Sequence, residues 1–521
     1  MTGVNAGGQI GLAVAAAVTL GSAQAVMLSD DGRGQVLLYP YYTVQGGTDT
    51  LISVANGTSR GKAARVRFLE ALNGRPVLAL NLYLAPHDVW TAKITSIDNG
   101  GAKLVVEDAS CTAPAIATVL GGAGEQAFST SGFDGTNGTP ADGEASQGVA
   151  RTREGYIEVL EMGDIDPEYV LLGDVNFLVG ITRNNSDGTP RPANCPAVAA
   201  EWASASPFPN GGHGPLQNTP DTNGLAATTG GLSGTGTLIS VAKGTDFSYD
   251  PVALSGFYMT QPPIHTPAAS TRPSLADAAP VSTVTVVDAN TGIPAQITDN
   301  WTNAAAPGNG GIDAVTAVLM RSAVINEFVV NTAINAGTDW ILTLPTKRWY
   351  VDQVVNPVRP FSAAFAQGGA CETLVATFYD QSGWSGSGGR IGFPEQPPPF
   401  VCQLRWASNV LTFNNSLVVG SLTGYPNNFN VGSFPAGQGT FTFPSTLDYK
   451  SYYWASAQKA GAANDLLGRQ LWNETARQHV YAGLPIIGFA VQQYVNGMLP
   501  GGVLSNYGGT YVHRYERSVT P

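Results

Sequence analysis

The sequence predicts a mostly β protein, and three observations predict it. Short runs of β-branched, aromatic and leucine residues recur along the chain, several with strict period-two alternation. Asn-Gly and Gly-Gly pairs, the chemistry of tight β turns, separate them. The composition is that of a loop-rich exported chain: 63 Gly and 34 Pro in 521 residues, with only 12% charged, about half the ~25% of an ordinary soluble protein. The expected architecture is an antiparallel β-sandwich of immunoglobulin-like size in the N-terminal part. A larger β-rich C-terminal part with minor helix follows it.

The first strand is Val36 to Val44 (VLLYPYYTV). Pro40 has no N–H for a ladder, so this run is expected at a sheet edge or on a bulge. Gly46-Gly47 turns the chain into Thr50 to Ala55, and Asn56-Gly57 marks the next turn. Ala64, Val66 and Phe68 alternate with Arg65 and Arg67, the pattern of a strand with one buried and one solvated face. After Asn73-Gly74, the leucines 78, 80, 82 and 84 share one face, and Val89 to Ile94 is the next strand. Residues 121–148 read as a long polar loop, and strand structure resumes at Gly155 to Met162. A second low-complexity stretch, 203–236, is read as a linker or exposed crossover. It divides an N-terminal domain, 26–202, from a C-terminal one, 237–521. Thr237 to Ala242 (TLISVA) repeats Thr50 to Ala55 letter for letter. Further on, Ile312 to Ile325 reads as a helix. Asp339 to Pro345 and Arg348 to Val351 read as a hairpin, and later strands are expected at 374–379, 404–413 and 484–495.

Residues 1–25 read as a secretory signal peptide. An apolar run, Ile10 to Leu20, precedes Ala23-Gln24-Ala25, a small-x-small cleavage pattern. The run is shorter than the ~20 residues that span a bilayer. Met1 to Gln9 lacks the usual basic residues, which a start codon placed upstream would supply. The expected location is therefore extracellular, or the surface of a bacterium. Four cysteines in an exported chain read as two disulfides, and Cys111–Cys195 with Cys371–Cys402 keeps each pair within one half of the chain. The net charge of −12 and the absence of a basic run disfavour nucleic acid and anionic membranes as partners.

No catalytic constellation stands out. The five histidines lack metal-ligand spacing, and no nucleophile elbow or dinucleotide loop is present. Gly57 to Lys62 is one residue short of a phosphate loop. Glu154, Glu158 and Glu161 with Asp164 and Asp166 form the one carboxylate cluster, expected on a solvated strand face; a glycosidase needs two such groups across a bond. Asp134, Asn137, Asp142 and Glu144 offer oxygen ligands for calcium in the polar loop. Trp349, Tyr379 and Trp384 are candidates for a sugar-stacking platform. The expected role is a non-enzymatic structural or binding protein whose partners are copies of itself or other envelope components. A polysaccharide-binding or polysaccharide-degrading protein is the alternative, and no cofactor other than calcium is expected. Self-assembly is expected through the Val36–Val44 edge, with Val26 to Gly34 as a flexible leader.

Several segments are similar to a family of uncharacterised secreted proteobacterial proteins, often labelled hypothetical or cell surface proteins. The stretches are Leu38 to Val44, Thr50 to Val54, Val66 to Glu70, Asn81 to Thr91, Thr152 to Glu158, Pro192 to Cys195 and Leu484 to Val491. The resemblance implies export and one architecture over most of the chain. It implies no activity, cofactor or site residue.

Overall fold

The structure is a computed structural model that describes residues 25–116, 124–136, 138–171, 174–184, 191–202, 224–258, 264–287, 291–302, 310–355, 359–383, 403–421, 427–443, 469–473, 478–499 and 502–521. Residues 1–24 of the expected signal peptide, Asn137, His213, Trp384 and Cys402 lie outside them. The chain is mostly β, in several antiparallel sheets, none of them closed among the described residues.

The first strands are β1 (Met27–Leu28), β2 (Val36–Thr43), β3 (Asp49–Asn56), β4 (Lys62–Glu70), β5 (Pro76–Leu84), β6 (Val89–Ser96), β7 (Ala102–Val106), β8 (Cys111–Ala113), β9 (Gly124–Ala127) and β10 (Glu154–Ile165). An eight-stranded sheet runs β1, Val252–Ser255, β2, β10, β4, β5, β8, with Leu225–Ala226 added on β10. A six-stranded sheet runs Thr245–Tyr249, Leu232–Ser240, β3, β6, β7, β9. The alternating apolar residues of both sheets meet in one core that includes Tyr39, Val54, Val66, Leu80, Trp90 and Ile157. The immunoglobulin-like detail does not follow from this arrangement, since strands on both sides of the 203–236 stretch share the two sheets. The twin hexapeptides are neighbours: Leu232–Ser240 runs antiparallel to β3, with Leu238 opposite Thr50.

Two expectations about the N-terminus are corrected. β2 is an interior strand, paired on one side with β10 and on the other with Val252–Ser255. Pro40 is accommodated by a bulge, because Pro40 and Tyr41 together face the single residue Tyr156 of β10. The segment after residue 25 is not a free leader. Val26 is fully buried, donates its N–H to the Val281 carbonyl at 2.8 Å and accepts from the Thr283 N–H at 2.9 Å.

The C-terminal part adds a five-stranded sheet (Asn427–Phe429, Ser408–Phe413, Ala336–Thr343, Ile487–Tyr494, Tyr507–Val512) and a four-stranded one (Val375–Asp380, Ala436–Thr442, Ala323–Val329, Arg514–Glu516). Strand 408–413 begins later than the expected 404. The helix is Gly310–Leu319, shorter than expected, because Ala323–Val329 pairs with strands on both sides. Arg348–Val351 is a helical turn and not a hairpin arm. Both neighbours of Ala336–Thr343 are already supplied by Ser408–Phe413 and Ile487–Tyr494.

The C-terminal core includes Val36, Leu38 and Leu160 from the outer face of the eight-stranded sheet. That sheet is therefore a middle layer, covered on both faces. This is why every residue of β2, β4 and β10 is buried. The half-solvated reading of β4 fails for the same reason: its second face, with Arg65 and Arg67, is covered by later chain.

Candidate functional site

Burying the outer face of the middle sheet places its charged residues inside the protein. Lys, Arg, Asp and Glu are almost never fully buried unless paired. The structure meets that requirement in three places.

At one end of β4 and β10, Lys62 is fully buried, and its ammonium donates to Glu161 Oε1 at 2.7 Å, Asp164 Oδ1 at 2.5 Å and Thr229 Oγ1 at 2.7 Å. Lys62 and Asp164 are cross-strand partners, and a bulge between Glu161 and Gly163 turns both carboxylates toward the lysine. Glu161 also accepts the Thr229 N–H at 3.2 Å and the Gly230 N–H at 2.8 Å. Asp164 accepts from Thr229 Oγ1 at 2.9 Å, and Arg60 stands 3.4 Å away at the surface. Burial raises the Glu161 carboxyl above its ordinary range, and Lys62 opposes the rise.

At the other end, Glu70 closes the turn after β4 by accepting the N–H groups of Leu72 (2.7 Å), Asn73 (3.0 Å) and Arg75 (2.9 Å). It also accepts from Arg151 Nε at 2.8 Å. The Arg151 guanidinium reaches both oxygens of Asp142 and lies 4.2 Å over the Phe133 ring. Asn73 bridges Asp142 and Asp352, and Arg75 holds Asp352 at 2.8 and 3.0 Å. Between these ends, Glu158 faces Arg67 across the strands at 3.6 Å, and burial raises its carboxyl. Arg65 has no carboxylate partner among the described residues. Its guanidinium donates to Asn81 and to the carbonyls of Thr266, Pro267, Ala268 and Ser270, while burial lowers it to about 9.

Of the carboxylate cluster, Glu154, Glu158, Glu161 and Asp164 are thus buried and not solvated, while Asp166, just past the end of β10, is exposed. Glu154 is buried, accepting from Tyr41 at 3.0 Å and Ser421 at 2.8 Å. Lys62, from the imperfect phosphate loop, is occupied by carboxylates. Of the calcium candidates within the described residues, Asp134 accepts from Thr130 and Thr136, Asp142 is held by Arg151, and Glu144 accepts the Gly368 N–H at 2.8 Å. Among the described residues no group of three or more His, Cys, Asp or Glu could hold a metal ion. Nor is any helix among them long and apolar enough to cross a membrane.

Cys111 and Cys195 form a disulfide that ties β8 to the short helix Cys195–Ala200. Cys371 is also disulfide-bonded. His265 and His513 are buried, and burial pushes both down to about 3. His479 pairs with Asp299 at 2.8 Å. Tyr379 is exposed at a sheet edge. A small pocket lined by Thr48, Leu238, Ser240, Phe247 and Val418 contains no titratable side chain.

The sequence reading missed Lys347. Its amine is buried among the carbonyls of Ala370 (2.6 Å), Leu404 (3.0 Å) and Arg405 (3.0 Å), and burial lowers it to about 7. The only signal was a lysine next to a proline-ended strand, which carries no such information.

No protein-family model matches the chain, and no curated protein or solved structure matches it.

Proposed function

We propose that the protein is a non-enzymatic structural or binding component of an extracellular or cell-surface layer, exported by its N-terminal segment and associating with copies of itself. One observation carries the reading: a share of its few charges is turned inward. Lys62, Glu161, Asp164, Glu70, Arg151 and Asp142 are buried in mutual contacts. In a chain with only 12% charged residues, these contacts take further charge away from the surface. Such a surface offers little electrostatic opposition to contact between copies. The disulfide suits an oxidising compartment, and the likeness to secreted proteobacterial proteins suits the same location.

The polysaccharide-degrading alternative is weaker. A glycosidase acid and its partner must reach opposite sides of one sugar bond. Glu154, Glu158 and Glu161 are all buried and face tyrosine, arginine and lysine side chains. The test is a screen of the mature protein for reducing-sugar release and for glycan-array binding. The expected result is no turnover on any polysaccharide. Turnover that disappears in Glu158→Gln would overturn the proposal.

A further inference from the structure

The Lys62 cluster has a feature that an ordinary ion pair does not require. A primary amine, a carboxyl group and a second carboxyl are enclosed together. The Lys62 and Glu161 side chains have no exposure, and Asp164 has only 1%. Lys62 Nζ is 2.5 Å from Asp164 Oδ1, and Glu161 Oε1 is 2.7 Å from the same nitrogen. The far oxygen of Asp164 accepts the Thr229 hydroxyl at 2.9 Å and faces Arg60 at 3.4 Å. Those donors stand where charge would develop if the carboxyl carbon became tetrahedral.

We propose that Lys62 and Asp164 condense to an intramolecular amide bond joining β4 to β10, with Glu161 as the proton carrier. The Lys62 nitrogen attacks Cγ of Asp164, so an N–C bond forms and the Cγ–Oδ1 bond breaks. Two protons leave the nitrogen: one passes directly to Oδ1 of Asp164 across their contact before the attack, and Glu161 accepts the other and delivers it to the same departing oxygen, which leaves as water. An ammonium and a carboxylate become one neutral amide and one water, with no oxidant, reductant or co-reactant.

Two physical terms favour the step. Reacting groups held in contact by a rigid scaffold act at effective concentrations of about 10⁵ M or more. The product also removes a buried ion pair, whose desolvation is costly, and replaces it with a neutral group. Glu161 is suited to carry the proton, since burial raises its carboxyl and two backbone N–H groups fix its orientation. The neighbouring bulge sets the geometry: in a regular strand the three-residue spacing of Glu161 and Asp164 would send the two carboxylates to opposite faces, and the bulge returns them to one.

The experiment is mass spectrometry of the folded mature protein after reduction and alkylation. The expected intact mass is one water below that of the same alkylated chain without the cross-link. A tryptic digest should contain a branched peptide joining the Lys62 and Asp164 segments, with no cleavage after Lys62. Dehydration at an Asp-Gly site also removes water but leaves linear peptides, so the branched species decides. Lys62→Arg keeps the positive charge and cannot condense; it should show the full mass and no branched peptide. Glu161→Gln, checked for folding by circular dichroism, should lose the cross-link or form it many-fold more slowly. If Glu161→Gln does not fold, the wild-type peptide map decides alone. A folded wild type that is cleaved after Lys62 and has full mass overturns the proposal. A cross-link formed at wild-type rate in folded Glu161→Gln overturns the role given to Glu161.

Discussion

Replacing Arg151 by Met tests whether the inward-turned charges hold the fold together. Arg151 has no side-chain exposure and is the shared cation of Glu70 and Asp142. Removing one partner of a buried ion pair costs about 3–5 kcal/mol, because the other charge stays behind unpaired. The structure places this case at the low end. Glu70 retains three backbone N–H donors. Asp142 retains Asn73 Nδ2, Gln147 Nε2 and the Glu144 N–H, each at 3.2 Å. Methionine also keeps part of the contact with Phe133. The expected loss is therefore about 3 kcal/mol, a large fraction of the ~5–15 kcal/mol that holds a domain folded. Urea unfolding measures it as a lower midpoint at unchanged slope. Arg151→Met combined with Asp142→Asn should cost less than the two single changes added together, since the second change removes one stranded charge. A loss for Arg151→Met below about 1 kcal/mol would refute the reasoning, because that is the range of an exposed pair.

Three further outcomes follow from the same structure. Replacing Cys111 and Cys195 by Ser opens a link that spans 84 residues; the chain-entropy relation puts the loss at about 4–5 kcal/mol, measurable by urea unfolding against the oxidised protein. His513 donates through Nε2 to the Ile341 carbonyl at 3.1 Å and accepts at Nδ1 from Asn326 at 3.0 Å; it therefore folds neutral, pushed from 6.5 down to about 3 by burial. Below pH 6.5 the unfolded chain binds a proton that the folded chain refuses, so stability falls with acid between pH 6.5 and about 3. The wild type should lose about 1.4 kcal/mol per pH unit relative to His513→Gln across that window, and parallel pH profiles would contradict it. Deleting residues 26–44 removes an interior strand, so that protein should show no cooperative unfolding transition; a folded truncation would contradict the assignment of β2 to the sheet interior.

The strands were legible where one face is apolar. Leu78, Leu80, Leu82 and Leu84 announced β5, and the turns at Asn56-Gly57 and Asn73-Gly74 bound β4 as expected. The favoured Cys111–Cys195 pairing was legible from their position in one half of the chain. The second face of the middle sheet was not legible. Ala-Arg-Val-Arg-Phe has the same pattern whether its arginines meet water or carbonyl groups. The carbonyls that receive Arg65 come from residues 266–270, two hundred positions later. Local alternation cannot report a partner so distant. Pro40 misled for a related reason: a missing N–H fits an edge or a bulge equally well, and only the register with β10 decides. The carboxylate run on β10 was visible as a cluster, but its pairing with Lys62 and Arg67 required the cross-strand register.

Sedimentation velocity of the oxidised mature protein, over a wide concentration range and at low and high salt, tests the central claim most directly. A sparsely charged surface from which part of the charge has been turned inward should associate. The account predicts a shift toward larger species as concentration rises, at low and high salt alike, because contact between copies is not carried by ion pairs that salt would screen. A single monomeric boundary at every concentration, or association that vanishes on adding salt, would contradict it.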